Sequence, residues 1–460
     1  MSLYPPSLQL NRLALQNYWG IKDAIIDFHP DLTVLIGRNG SGKTSILDAL
    51  AKAFRMVEVS LLSGDTKVDP ANFFLDRDIH NESSGAEVRL KATLDFQAEL
   101  GSDSVQGTFA SSQSQRARGK VRSRSREEFD SSRGGELDWR YTLTRSGHQV
   151  TEGGQLEDLY RFVEYINFVI RHEDPAVKGQ AALPIAAFYD CGRAADLSLE
   201  IQTMQGRSSQ ASIFDAWEEA LSEGSFAYEA FFKWFRRAFN RFQQAQDSSQ
   251  EKRIFQAVCQ AIYQMFDEGD YFESLGFSWE TVEGEITVKK KQGPDLRLSQ
   301  LSSGERVLLL MAADLSRRLV IANPQSENPL QTGSGVVMID EVGLHLHPSW
   351  QGQVIGKLRK TFPKIQFIVT THSPHVLQNV ERESIRLLEA GVVQDHQPYV
   401  EGRDVNSILE EAFGIKERLE KFDRQVKKIY DLLDEEKFPE AEAEINQLKQ
   451  KWGEEDREIN

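Results

Sequence analysis

Residues Leu32–Thr44 of this chain read LTVLIGRNGSGKT, and this stretch decides the fold. The run Leu32–Ile36 has the apolar character of a buried strand, and Ser45–Phe54 repeats apolar residues at helical spacing. The octet between them fits the pattern G-x-x-x-x-G-K-[ST], whose meaning depends on this strand–loop–helix context. The sequence therefore predicts a phosphate-binding loop for a nucleoside triphosphate. The predicted nucleotide-binding residues here are Gly37, Arg38, Asn39, Gly40, Ser41, Gly42, Lys43, Thr44 and Ser45.

The residue types of this loop match what a triphosphate requires. Glycines let the backbone curl so that successive N–H groups point at phosphate oxygens, and the helix that follows presents its positive end to them. Lys43 would supply a positive charge to the β- and γ-phosphates, and the hydroxyl of Thr44 would be a ligand of Mg²⁺. Kinases, GTPases and motors share such a loop, so the reaction class depends on other segments.

A second apolar strand ends in two carboxylates. Val336–Ile339 is followed directly by Asp340 and Glu341, and two adjacent buried acids are costly unless a cation is close. We expect Asp340 to hold Mg²⁺ through its water shell and Glu341 to polarise the water that attacks the γ-phosphate. His372 follows the predicted strand Lys364–Thr370 and is expected at the same sheet edge, within reach of the γ-phosphate.

The segment Leu301–Glu305, with the sequence LSSGE, precedes a strongly apolar helix at Arg306–Val320. Ser302, Gly304 and the N-terminus of that helix form a second feature that is suited to binding an anion. The order of these segments along the chain narrows the reaction class.

Together, these segments resemble ABC-type ATPases of the SMC/RecF branch. LSSGE resembles the signature motif, VVMIDE the Walker B motif with its catalytic glutamate, and THS the switch histidine. The resemblance implies ATP and Mg²⁺ as cofactors and a homodimer in which the signature of one subunit contacts the γ-phosphate held by the other. The sequence departs from the family pattern at Ser303, where many members have glycine, and at Glu305, where transporters have glutamine. The implied nucleotide-binding and catalytic residues are Lys43, Thr44, Asp340, Glu341 and His372 in cis, and Ser302 and Gly304 in trans, with Glu305 in the same motif.

The resemblance and the strand patterns predict an α/β fold. We expect an ABC-type ATPase head with a mixed-sheet core and an antiparallel β lobe, a helical subdomain and a C-terminal helical hairpin. The expected domains are 1–195, 196–295, 296–400 and 401–460. The aromatic-rich run Ile213–Phe242 is typical of a helical core. Strands are predicted at Leu8–Leu15, Ala24–Phe28, Ala86–Phe96, Leu137–Thr144, Leu183–Tyr189, Gly276–Thr281, Glu285–Lys290 and Gly335–Ile339.

Residues 101–136 are rich in Ser, Gln, Arg and Gly and almost free of large apolar residues, which predicts a disordered insertion. Within this insertion, a basic residue stands at every second position of 116–126. An arm that contacts DNA phosphates and a solvated loop that stays open by self-repulsion both explain this pattern. The absence of interleaved aromatic residues favours the solvated loop.

The bulk composition restricts the function classes. A net charge of −16 argues against general coating of nucleic acid. Cys191 and Cys259 show no metal-ligand spacing, which indicates a reducing compartment. The N-terminus lacks the pattern of a signal peptide, and no apolar run reaches the roughly 18 residues that would span a bilayer. We therefore expect a cytoplasmic protein with no membrane partner.

Softer features extend the resemblance over most of the chain. Leu183–Arg193, Phe231–Phe235 and Gly402–Ile415 with the helical hairpin that follows are similar to the PtuA ATPases of Septu two-component anti-phage systems, which also occur with some retrons. This resemblance implies a partner nuclease of the HNH type. We expect the state of the bound ATP to regulate this nuclease and the C-terminal tail to bind it. A RecF-like DNA-repair ATPase that binds DNA directly is the alternative. Candidates for the Q-loop residue are Gln202 and Gln205.

Overall fold

The computed structural model describes the greater part of the chain. The described residues are 7–63, 73–95, 134–146, 149–160, 162–163, 166, 182–191, 213–221, 226–244, 250–266, 272–278, 285–415 and 420–452. Most of the predicted insertion, including 116–126, lies outside the described residues, as do the Q-loop candidates Gln202 and Gln205.

A six-stranded sheet contains the phosphate-loop strand. Its order is β14-β13-β3-β12-β11-β7, and all neighbouring pairs are parallel except β13 with β14. The strands β3, β11 and β12 are buried at every position, which explains their continuous apolar runs in the sequence. The bounds are Leu32–Ile36 for β3, Ile185–Asp190 for β7, Gly335–Asp340 for β11, Ile365–Thr370 for β12, Ile385–Glu389 for β13 and Val392–Val393 for β14.

The parallel pairing brings the ends of these strands together. The carboxyl ends of β3, β12, β11 and β7 meet at one edge of the sheet. Helix α1 (Lys43–Ser63) begins at this edge and packs against β7, β11 and β12. The predicted mixed-sheet core is confirmed, and the phosphate loop, the acids after β11 and the histidine after β12 all lie at this edge.

A five-stranded antiparallel sheet forms the predicted β lobe. Its order is β2-β1-β4-β5-β6, and buried and less buried positions alternate along β1, as expected for a strand with one face in the core. Strands β1, β2 and β5 are longer than the sequence predicted because their ends pair beyond the alternating runs. Strand β4 begins one residue before the predicted strand, and β6 was not predicted. The bounds are Ser7–Tyr18 for β1, Ile21–Asp27 for β2, Gly85–Asp95 for β4, Gly134–Ser146 for β5 and Gln149–Gln155 for β6.

A small three-stranded sheet in the order β10-β9-β8 leads into the signature segment. Its strands are β8 (Phe272–Ser278), β9 (Glu285–Lys290) and β10 (Asp295–Arg297). The predicted hairpin is present, but its first strand begins at Phe272, four residues before the predicted start at Gly276, and the predicted end at Thr281 lies outside the described residues. A register shift between Phe272 and Ser274 interrupts the alternation, so the first half of β8 has no strand-like pattern in the sequence.

Two helices carry the aromatic stripe, namely α2 (Phe226–Gln244) and α3 (Gln250–Met265). Phe231 and Phe235 are fully buried, and the ring of Phe235 lies 5.5 Å from that of Phe255. The interpretation of the stripe as core is therefore confirmed. The run is not one helix, because Ile213–Ala216 forms a separate short helical turn.

The remaining helices surround the ATPase motifs or follow them. They are α4 (Ser303–Ala322), α5 (Pro329–Thr332), α6 (Pro348–Thr361), α7 (Pro374–Leu377), α8 (Val405–Phe413), α9 (Glu420–Asp434) and α10 (Phe438–Trp452). Helix α8 belongs to the main hydrophobic core, whereas α9 and α10 pack on each other around Ile429 and Leu448 in a separate small cluster. The C-terminal helical hairpin is thus confirmed, and the four domain boundaries stay a prediction.

In the part of the chain that the structure describes, no helix is both long enough and apolar enough to cross a membrane.

A buried ionic cluster joins α4 to β7 and to residues 213–221. The carboxylate of Asp314 accepts hydrogen bonds from Arg317 Nε (2.9 Å), Arg318 Nε (2.7 Å) and the hydroxyl of Tyr189 (2.9 Å). Arg318 also donates to the carbonyl of Ala216 at 2.9 Å. Burial acts to raise the pKa of Asp314, but the two guanidinium groups outweigh it and leave that pKa lowered. The carboxylate is therefore ionised and compensates both arginines.

We expect Asp314→Ala to be strongly destabilising, by about 3–5 kcal/mol, because it removes the carboxylate that pairs with two buried guanidinium groups. Thermal unfolding followed by circular dichroism checks this expectation. The matched control is Asp27→Ala, which removes the carboxylate of the exposed Arg12–Asp27 pair and should change the unfolding temperature little. Equal shifts in the two variants would contradict a structural role for the Asp314 cluster.

Candidate functional site

The phosphate loop is shaped by glycines in conformations that other residues rarely adopt. Gly37 has φ +146°, and an added Cβ would lie 2.2 Å from the carbonyl oxygen of Leu388 in β13. Gly42 has φ +103°, and its Cβ would press on the side chain of Ile21 at 3.2 Å. The hydroxyl of Ser41 is buried and has no hydrogen-bond partner among the described residues. A curled backbone and an unsatisfied buried hydroxyl fit a loop that binds phosphate oxygens.

Lys43 lies inside the loop that it belongs to. Its Nζ donates to the carbonyl oxygens of Gly37 at 3.0 Å and Arg38 at 3.2 Å. Burial lowers the pKa of Lys43, while the carboxylates of Glu341 and Asp340 oppose that shift. The ammonium group is therefore held at the centre of the loop and faces the acids at the end of β11.

Asp340 joins α1 to the sheet edge. Its Oδ2 accepts from the hydroxyl of Thr44 at 3.0 Å, and its Oδ1 accepts from the hydroxyl of Thr370 at 2.5 Å. The same Thr370 oxygen accepts from the backbone N–H of Glu341 at 2.8 Å. One threonine at the end of β12 thus fixes both acids at the end of β11. The pair predicted to bind Mg²⁺, Thr44 and Asp340, is brought together.

Mg²⁺ fits this donor set. No group of three or more His, Cys, Asp or Glu side chains that could hold a metal ion occurs within the described segments. Mg²⁺ does not need such a cluster, because one or two carboxylates, waters and substrate phosphates usually complete its shell. A hydroxyl and a carboxylate 3.0 Å apart are chemically suited to it.

Glu341 and His372 form the second contact at this edge. Glu341 has φ +55°, a left-handed conformation that is unusual for a non-glycine residue, and this turns the chain directly after β11. Its Oε1 lies 3.4 Å from His372 Nε2. Burial raises the pKa of Glu341, and the negative charge of Asp340 raises it further. Burial lowers the pKa of His372, and the positive charge of Lys43 lowers it further. At neutral pH the imidazole is therefore uncharged, and the contact is not an ion pair.

A third carboxylate at the edge was missed by the sequence analysis. Asp190 ends β7 and pairs in register with Asp340 of the neighbouring parallel strand. Residues paired in this way point to the same face of a sheet, and the charge of Asp190 contributes to the raised pKa of Glu341. The only signal was an acid at the end of the apolar run Leu183–Tyr189, and its strand neighbour could not be known from sequence.

The side chains of Ser302 and Glu305 in the signature segment have hydrogen-bond partners within their own chain. Ser302 caps α4, its hydroxyl donates to Glu305 Oε2 at 2.6 Å, and the backbone N–H of Glu305 returns a bond to that hydroxyl. Lys290 Nζ donates to the other oxygen of Glu305 at 2.9 Å, which offsets a buried negative charge. The sequence analysis did not identify this lysine. These contacts lie in the first turn of α4 and at the end of β9, and not at the phosphate loop.

The loop after β11 links the signature to the switch histidine. An added Cβ at Gly304 would lie 2.3 Å from the carbonyl oxygen of His345, so the first turn of α4 packs on this loop. Gln351 of α6 donates to the carbonyl oxygens of Gly343 at 2.9 Å and Leu346 at 3.2 Å. Its Oε1 accepts from Ser373, the neighbour of His372, at 2.7 Å. The two features are therefore connected through one continuous set of contacts.

Comparisons with known proteins agree with this site. The model of the family described as "AAA domain, putative AbiEii toxin, Type IV TA system" matches residues 32–378. The retron Ec83 probable ATPase of Escherichia coli is 25% identical over 95% of this chain and 82% of its own length. The Septu protein PtuA of Bacillus thuringiensis is 37% identical over 19% of this chain and 24% of its own. The DNA replication and repair protein RecF of Staphylococcus carnosus (strain TM300) is 43% identical over 10% of this chain and 14% of its own. The predicted relationship to PtuA and the SMC/RecF-type ATPases is confirmed.

We expect Thr370→Val to weaken nucleotide binding in the presence of Mg²⁺ about tenfold, because groups that orient a metal ligand typically contribute this much. Titration of a fluorescent ATP analogue, with and without Mg²⁺, measures the effect. The control is Thr361→Val, since the hydroxyl of Thr361 is buried and has no hydrogen-bond partner among the described residues. A loss of the same size without Mg²⁺ would contradict a role on the metal side.

Proposed function

This chain belongs to the AAA-domain family whose model it matches, and we propose that it is the ATP-hydrolysing subunit of an anti-phage defence complex that regulates a partner nuclease of the HNH type. Membership of that family makes the chain an ATPase. The observation that carries the proposal is the similarity to a retron ATPase over 95% of the chain, together with an intact set of ATPase residues at one sheet edge. Similarity to PtuA supports the same class of system.

ATP would be held by the phosphate loop and its neighbours. In the proposed arrangement, the N–H groups of Gly40–Ser45 and the Lys43 ammonium bind the phosphates, with Thr44 and Asp340 binding Mg²⁺. Lys43 now donates to two backbone carbonyls, so phosphate oxygens would replace acceptors that are already in place. Mg²⁺ in this position supplies neutralisation of the charge that develops on the phosphates during transfer.

Glu341 and His372 are the residues to which we assign the hydrolysis step. A raised pKa makes the Glu341 carboxylate a better proton acceptor for a water molecule, which suits a general base. A neutral imidazole can donate one hydrogen bond to a phosphate oxygen while its other nitrogen accepts one. We assign the base to Glu341 and the sensing of the γ-phosphate to His372.

The second half of each site would come from a second copy of the chain. Ser302 and Gly304 lie at the N-terminus of α4, a helix of 20 residues whose positive end is suited to an anion. In one chain the Ser302 hydroxyl bonds to Glu305 and Gly304 packs on the carbonyl of His345, and the proposed dimer would bring both residues to the phosphate loop of the partner chain. Lys290 would keep the carboxylate of Glu305 from repelling the phosphate.

We expect Glu341→Gln to slow hydrolysis about a hundredfold or more, because general-base catalysis contributes at least this factor. The variant should still bind ATP and remain in the dimeric state, whereas Lys43→Ala should bind no ATP and stay monomeric. Phosphate release measures the first effect, and size-exclusion chromatography with light scattering measures the second. Turnover by Glu341→Gln at the wild-type rate would remove Glu341 from the role of base.

The C-terminal hairpin is the proposed surface for the nuclease. It forms its own small cluster and exposes large apolar side chains, with Tyr430 53% and Phe438 60% accessible. A contiguous apolar patch formed by such side chains would suit a protein-binding surface. The RecF-like alternative rests on a likeness that covers a tenth of the chain and on the basic residues of 116–126.

We expect the full chain to copurify with an HNH-type nuclease encoded beside it, and deletion of residues 416–460 to abolish this. The deletion keeps Ile415, whose N–H completes the cap of α8 by bonding to the Leu409 carbonyl. Pull-down from co-expressing cells measures the association, and retained ATP binding is the control for folding. If the truncated chain still binds the nuclease, the hairpin is not the surface.

Tight binding of duplex DNA with a steep salt dependence, lost when 116–126 lack their basic residues, would favour the RecF-like alternative.

A further inference from the structure

The end of helix α8 lies against the ATP site. Phe413, its last residue, is 5% exposed and belongs to the main hydrophobic core with Ile408 and Ala412. This helix comes from the C-terminal part of the chain, 375 positions after Arg38 in the phosphate loop. The sequence offered no reason to place the two together.

The backbone after α8 binds the side chain of Arg38. Arg38 Nε donates to the carbonyl oxygen of Phe413 at 3.3 Å. The guanidinium also lies against Gly414, where an added Cβ would be only 2.6 Å from one of its nitrogens. The backbone carbonyl of Arg38 in turn accepts from Lys43. The cap of α8 is therefore in direct contact with the phosphate loop.

The side chain of Phe413 packs on the switch histidine. Its ring centroid lies 6.2 Å from that of His372, with the planes tilted by 35°. His372 also contacts Glu341. One residue thus contacts two separate parts of the ATP site, through its carbonyl at the phosphate loop and through its ring at the histidine.

The same segment leads to the C-terminal hairpin. Gly414 has φ +63° and its N–H donates to the carbonyl of Glu410, while the N–H of Ile415 donates to the carbonyl of Leu409, so the helix ends in a left-handed glycine cap with a fixed exit direction. Helices α9 and α10 follow and pack on each other in their own cluster. The chain from the ATP site to this hairpin passes through Phe413, Gly414 and Ile415.

We propose that Phe413 is a positioning residue that couples the occupancy of the ATP site to the C-terminal hairpin. Arg38 now donates to a neutral carbonyl, and a phosphate oxygen is a stronger acceptor because charge-assisted hydrogen bonds are roughly twice as strong. Triphosphate binding therefore draws Arg38 away from the cap of α8 and changes how firmly the exit of α8 is held. Coupling of this kind is reciprocal, so the hairpin changes the affinity for ATP by the same factor. The proposal deepens the proposed function, from which it takes the ATP site and the hairpin surface.

Hydrogen–deuterium exchange of residues 420–452 in the full chain tests the coupling, without any nuclease present. We expect a saturating non-hydrolysable ATP analogue with Mg²⁺ to change hairpin exchange about fivefold or more in the wild type, the lower end of usual coupling. Gly414→Ala should abolish most of this response, because the new Cβ displaces Arg38. Phe413→Leu, which keeps an apolar side chain but loses the ring, should reduce it as well. Titration with a fluorescent ATP analogue sets saturation for each variant.

The matched control is Gly402→Ala. Gly402 has φ +69°, similar to the +63° of Gly414, but an added Cβ there meets no heavy atom of the described residues within 4 Å. Both variants therefore impose the same backbone strain, and only Gly414→Ala disturbs Arg38. The proposal would be overturned if hairpin exchange in the wild type did not change when the nucleotide binds. Equal changes in hairpin exchange in the two alanine variants, or an undiminished change in Phe413→Leu, would overturn it as well. If Gly414→Ala does not fold, Phe413→Leu decides alone. Failure to find a nuclease partner would overturn the proposed function and leave this result standing.

Discussion

The ATP site depends on the parallel pairing of β3, β12, β11 and β7. This pairing brings Thr44 and Asp340, which are 296 positions apart in the sequence, to within a hydrogen bond of 3.0 Å. Thr370 then holds Asp340 and the backbone of Glu341 with a single hydroxyl, and His372 follows two residues later. Non-local contacts of this kind require the sheet to be complete, since no segment alone holds more than a part of the site. The extensive burial of β3, β11 and β12 is therefore a condition of the chemistry, because it fixes where each strand ends.

The charges at this edge explain why the site is suited to a cation and a triphosphate. Three carboxylates, those of Asp190, Asp340 and Glu341, lie at the ends of two adjacent strands, with Lys43 opposite them. Like charges in a partly buried place are unfavourable, and the raised pKa of Glu341 reflects this. A divalent cation would relieve the repulsion, whereas a phosphate alone would add to it. Nucleotide binding is thus expected to depend on Mg²⁺ because of the protein's own carboxylates.

The local parts of the site could be predicted from the sequence, whereas the contacts between distant segments could not. The phosphate loop, the strand ending in Asp340 and the helix after LSSGE have patterns that lie within a few residues, and the structure contains each of these elements. Asp190 was missed because its importance comes from its register with Asp340. Lys290 was missed because a basic residue at a strand end gives no sign in the sequence of the buried Glu305 that it faces. Phe413 was given no role in the ATP site by the sequence analysis, and only the structure brings it to Arg38 and His372.

The proposed dimer gives a reason for the self-contained state of the signature segment. In one chain the Ser302 hydroxyl bonds to Glu305, which in turn is paired with Lys290, so neither the hydroxyl nor the carboxylate lacks a partner. To contact a phosphate across an interface, the Ser302 hydroxyl must give up the acceptor that it already has, Glu305. The net gain in free energy from such an exchange is small unless the new acceptor is more strongly charged. A triphosphate meets that condition better than a diphosphate, because its terminal phosphate carries the additional charge. The capping box would therefore act as a threshold, so that closure of two chains follows the presence of the γ-phosphate and not the mere occupation of the loop.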